Sequence, residues 1–183
     1  MLNGIVALHG TGVPPVTNSY ESIATVTVGS GGSSSIDFTS IPSTYKHLQI
    51  RCFAQTSNGS NVAGFIRFNG NTTISNYSLH LVDGNGSSVS AYGASSDYCQ
   101  FSIPPSSSST FSATVIDILD YTNTNKYKTI RSLSGYDANG SGQVRYSSGG
   151  YYANTNAITS INLVAAAGNM TQYSLFALYG IKG

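Results

Sequence analysis

The chain has 183 residues, and only eight Lys or Arg and seven Asp or Glu, a charged share of 8% against about a quarter in an ordinary soluble domain. With 40% apolar residues, 13 Tyr, 7 Phe and a net charge of +1, it is not a disordered chain, which would pair low hydrophobicity with high net charge. The cations are scattered from Lys46 to Lys182, so no patch is present to displace counterions from phosphate and nucleic acid is excluded as a partner. No apolar run nears the ~20 residues of a membrane span, and no membrane partner is expected.

The first 18 residues, MLNGIVALHGTGVPPVTN, show no alternation and contain Gly4, Gly10, Gly12, Pro14 and Pro15. They read as an extended arm. The arm has no Lys or Arg, and its longest apolar run covers only residues 5–8, so it does not read as a secretory leader. Such a segment cannot form a core alone, and chain ends order only when something ties them down. Leu2, Ile5, Val6, Leu8 and Val13 are therefore the candidate residues for gripping a protein neighbour. The alternative is that the arm folds back on its own domain.

Residues 19–183 read as one domain of period two. Strands are expected at 21–28, 35–39, 46–56, 62–69, 76–83, 98–103, 111–119, 126–135, 144–152, 158–165 and 173–182. In the third, Leu48, Ile50, Cys52 and Ala54 share one face, while His47, Gln49, Arg51, Gln55 and Phe53 share the other, as in a half-buried strand. Glycine-rich and Asn-Gly turns at 29–32, 69–71, 83–86 and 137–140 supply residues that tolerate positive φ. Pro104-Pro105 and the serines at 106–109 read as a plain loop. No stretch has a helical period. Eleven short strands imply an all-β fold, an antiparallel β-sandwich that is jelly-roll-like and carries the extended N-terminal arm. Cys52 and Cys99 fall on apolar strand faces and read as buried thiols. A disulfide between them stays open, since sequence does not fix their geometry.

Catalytic chemistry finds little support. His9 lies in the arm, His47 and His80 fall on outward strand faces, and no G-x-S-x-G elbow is present. Asp137 to Ser141 resembles a calcium loop without its closing acid. Asp117 and Asp120, near Asn123 and Asn125, offer oxygen donors for a hard cation, but Asp120 and the asparagines read as shaping a turn after a strand. No metal and no cofactor is expected. Neutral hydroxyls, amides and aromatic rings would suit a glycan, and Tyr146, Tyr151, Tyr152 and Asn154 around residues 147–150 form the candidate glycan or interface patch.

Four stretches carry a family resemblance: SYESIATVTVGSGG at 19–32, IDFTSIPSTYKHLQIR at 36–51, VIDILDYTNTNKYKTIRSLSGYDANGSG at 115–142, and QYSLFALYGIKG at 172–183. They resemble a widespread family of tailed-bacteriophage virion proteins, from about residue 19 to the end. The resemblance implies a β-sandwich module on the virion exterior, made in the host cytoplasm, either a capsid cement (decoration) protein or a tail-fibre module. It implies a homotrimer and no functional residues. The leading expectation is a non-enzymatic cement protein that binds the major capsid protein and holds adjacent capsomers. The alternative is a tail-fibre or receptor-binding subunit that contacts tail proteins and recognises host glycan. A glycan-cleaving enzyme is a third reading, disfavoured because seven acids form no recognisable carboxylate pair.

Overall fold

The computed structural model describes residues 18–95 and 98–183. The expected arm, with Leu2, Ile5, Val6, Leu8 and Val13, lies outside the described residues. Among those described there are twelve strands: β1 (Tyr20–Thr27), β2 (Ser35–Phe38), β3 (His47–Ala54), β4 (Val62–Phe68), β5 (Tyr77–Gly84), β6 (Val89–Ala94), β7 (Gln100–Ile103), β8 (Ser112–Leu119), β9 (Lys128–Asp137), β10 (Gly142–Tyr151), β11 (Ile161–Ala165) and β12 (Leu175–Ile181). The neighbours are antiparallel. They form an eight-stranded sheet in the order β1-β12-β3-β8-β9-β10-β5-β6 and a four-stranded sheet in the order β2-β11-β4-β7.

The two sheets pack as a sandwich. Setting aside the hairpins β5–β6 and β9–β10, the other eight strands run first-eighth-third-sixth in one sheet and second-seventh-fourth-fifth in the other. That is a jelly-roll order built on two Greek keys. The two hairpins then pair with each other through β10 and β5. They widen the larger sheet from four strands to eight, and this widening shapes the site described below.

Alternation works because side chains on a strand point to opposite faces. In β3, Leu48, Ile50, Cys52 and Ala54 are buried, as their pattern requires, and pack in one core with Ile66, Phe68, Phe101 and Leu163 of the smaller sheet. Eleven of the strands lie where alternation puts them. The sequence gives no sign of β6, because VSAYGA is exposed on both faces and so has no apolar side to reveal it. The serines at 106–108 form a 3-10 turn within the expected loop. The Asn139-Gly140 turn between β9 and β10 has positive φ at both residues, the geometry that matches strand twist in a two-residue hairpin.

The inner face of β9 carries Ser132 and Ser134 where a core strand would carry hydrophobes. The edge of β7 explains them. Ser102 N donates to Ser134 Oγ at 2.9 Å, Ser132 Oγ donates to the Gln100 carbonyl at 2.6 Å, and Gln100 N donates to Ser147 Oγ of β10 at 3.3 Å. Serines of one sheet thus satisfy backbone groups on a strand of the other. This closes an edge that would otherwise invite a foreign strand.

Cys52 and Cys99 are free and buried. Burial pushes the Cys52 thiol up to about 12 and the Cys99 thiol up to about 11. Both act as small hydrophobes, and neither is an activated nucleophile.

Candidate assembly face

The outer face of the eight-stranded sheet is built from side chains that alternate away from the core. Register places them in rows. One row runs Leu175, Phe53, Ala113, Gly135, Val144, Gly84, Val89. The next runs Ala177, Arg51, Val115, Leu133, Tyr146, Val82, Ala91. Each strand contributes one or two apolar outward residues, and pairing merges them into a band seven strands wide. Phe53 is 56% exposed, Leu133 55% and Val144 58%. Between β12 and β10 the band sinks into a shallow groove of about 670 Å³, and a second hollow of about 470 Å³ continues it over β10, β5 and β6.

Arg51 marks one seam of this band. Its guanidinium lies 5.7 Å from the Tyr20 ring and 5.8 Å from the Tyr179 ring, and its Nε donates to Gln49 Oε1 at 2.9 Å. The third row is polar. Gln49 Nε2 donates to Asp117 Oδ1 at 2.9 Å, and Arg131 Nε and Nη2 donate to Asp117 Oδ2 at 3.1 and 3.0 Å. Charges on this face therefore neutralise one another along one row. The two apolar rows carry no charge apart from Arg51. A contiguous exposed apolar surface of this breadth is a candidate contact for another molecule, and a centre with little charge beside a polar rim has the composition found at protein interfaces.

The expected tyrosine patch does not assemble as read. Tyr151 is 1% exposed and belongs to the core. Its ring packs 5.6 Å from Phe68 and 5.1 Å from Tyr77, centre to centre, because residue 151 has the inward parity of β10. Residues 147–150, around which the patch is expected, form no loop. They are interior residues of β10, paired to both β9 and β5. Tyr146 is 46% exposed and Tyr152 49% exposed, but they stand apart. The Tyr152 ring lies over Gly150 and meets Tyr127 edge-on at 5.3 Å. Gly150 is four residues from Tyr146, about 13 Å along the strand, with the polar row between them. Asn154 is exposed, and its Oδ1 accepts from Asn156 N at 2.9 Å in a local turn. Of the four, Tyr146 alone lies within the apolar band.

Other polar candidates have local partners. His47 Nδ1 accepts from Asp120 N at 2.9 Å. Asp120 pairs with Lys126 and with Lys46, whose Nζ is 3.2 Å away, and these lysines hold its carboxyl down at about 2. Asn123 Oδ1 accepts from Asn125 N at 2.8 Å, and Asp137 Oδ1 from Gly140 N at 3.1 Å. Among the described residues, no group of three or more His, Cys, Asp and Glu is placed to hold a metal ion. No helix among them is long and apolar enough to cross a membrane.

The sequence carried one signal for this face. Phe53 is an aromatic residue on an otherwise polar strand side. Val115, Leu133 and Val144 follow the same pattern one strand at a time. No protein-family profile, curated protein sequence or solved structure matches the chain.

Proposed function

We propose that this chain is a structural protein of a tailed-bacteriophage virion exterior, a capsid cement protein that binds the major capsid protein and holds adjacent capsomers together. The observation that carries the reading is the scarcity of ions, eight Lys or Arg and seven Asp or Glu in 183 residues. Contact across subunit seams needs buried area, and a low-charge surface can be buried without desolvating ions, which is costly unless each is well paired. The segments that resemble phage virion proteins fall on β1 to β3, β8, β9 and β12, which include the central strands beneath the apolar face. In this reading the arm supplies the grip on the shell, through Leu2, Ile5, Val6, Leu8 and Val13.

Copy number tests the proposal. Stained gels of purified virions should show the chain at an abundance near that of the shell protein. A handful of copies per particle would move the chain to a tail fibre and overturn the cement reading. Full-length protein with Leu2→Ser, Ile5→Ser and Leu8→Ser should stay folded and lose binding to undecorated particles. Unchanged binding would show that the arm is not the grip.

A further inference from the structure

We propose that the apolar outer face of the eight-stranded sheet packs against the same face of a second copy of this chain. The inference stands on the sheet face alone and does not need the virion reading.

Width decides the kind of occupant. The apolar residues reach from Leu175 and Ala177 on β12 to Val89 and Ala91 on β6, across seven strands. Six spacings of ~4.8 Å make the band roughly 29 Å wide. A single extended segment covers only a strip of such a face, whichever way it lies. A second sheet covers the whole width. Two apolar rows and the polar row beside them occupy roughly 20 Å along the strands, a flat footprint of roughly 600 Å². Standing side chains make the accessible area larger than that footprint. A stable interface buries about 800 Å² per partner, so this face supplies most or all of what a dimer needs.

Symmetry and charge favour a copy of the same chain. Across a twofold axis, a patch meets itself, so an apolar centre meets an equally broad apolar centre. Two sheets of one twist stack face to face at ~10 Å with their strands about 30° apart. The net charge of +1 sets up little repulsion between copies. Arg131 and Asp117 sit together in the flanking row, so the rim holds both signs. The phage resemblance implies three copies. Contacts about a threefold axis join two different surfaces, whereas a twofold axis sets this face against itself.

Sedimentation velocity of the full chain at about 5–100 µM tests this. The expected species has twice the 19.1 kDa chain mass. Leu133→Lys and Val144→Lys are exposed in the monomer, so each should leave the circular dichroism spectrum unchanged while weakening the dimer at least 100-fold. Phe53→Ser provides a milder version if a lysine variant misfolds. A wild-type monomer at 100 µM would overturn the proposal, because it would mean the face is covered by its own arm or reserved for a different protein. So would a trimer, or a dimer that survives all three substitutions. A wild-type chain that dimerises through this face but does not bind undecorated particles would count against the cement reading alone.

Discussion

Tyr151→Ala and Tyr152→Ala are neighbouring substitutions of one residue type with opposite expected consequences. Tyr151 is enclosed by Phe68 and Tyr77, and truncating a buried aromatic to Ala costs about 3–5 kcal/mol in lost transfer energy and residual cavity. At about 2–4 °C per kcal/mol for a chain of this length, Tm should fall by roughly 6–20 °C. Tyr152 is half-exposed, and its one aromatic contact is with Tyr127. Removing such a pair costs about 0.5–1.5 kcal/mol. Urea unfolding followed by tyrosine fluorescence and circular dichroism measures both. Equal losses, or a larger loss for Tyr152→Ala, would refute the inward assignment of Tyr151. The result also governs any glycan-binding assay, since lost binding in Tyr151→Ala would report unfolding and not a lost contact.

Two further outcomes follow from buried polar groups. Ser134→Ala removes the acceptor for Ser102 N, so stability should fall by about 1–3 kcal/mol, while Ser141→Ala in the exposed β9–β10 turn should change it by less than about 0.5 kcal/mol; a neutral Ser134→Ala would show that the serines do not close the β7 edge. Stability should also decline in alkali. Burial raises the thiols of Cys52 and Cys99 to about 12 and about 11 from an ordinary 9.0, and it raises the phenols of Tyr77, Tyr121 and Tyr151. The folded chain keeps protons that the unfolded chain releases, so this stability is complete below about pH 9 and is lost as pH climbs through the folded values, at up to about 1.4 kcal/mol per pH unit for each thiol. Lys128, whose burial lowers its pKa, acts in the opposite sense, but it is one group against five. Urea midpoints measured from about pH 7 to about pH 11 should drop above pH 9, and a flat profile would refute the buried-thiol account.

What the sequence determined by itself is local. Alternation assigned Leu48, Ile50 and Cys52 to the core and Phe53 to the outside, and Asn139-Gly140 marked a hairpin, because a strand's side-chain period and a turn's φ requirement act over a few residues. It left β6 unseen, since a strand exposed on both faces has no apolar side. It grouped Tyr151 with Tyr146 and Tyr152, since nearness in the chain does not reveal strand parity near a strand end. Tertiary structure decided which strands are neighbours. Phe53, Val115, Leu133, Tyr146 and Val82 lie as much as 93 residues apart in the chain, and each looks like an isolated surface hydrophobe until register sets them in adjoining positions. Register comes from the packing of the core beneath and from the two hairpins that widen the sheet, which are interactions between distant segments. Only at that level do single outward apolar residues become one face.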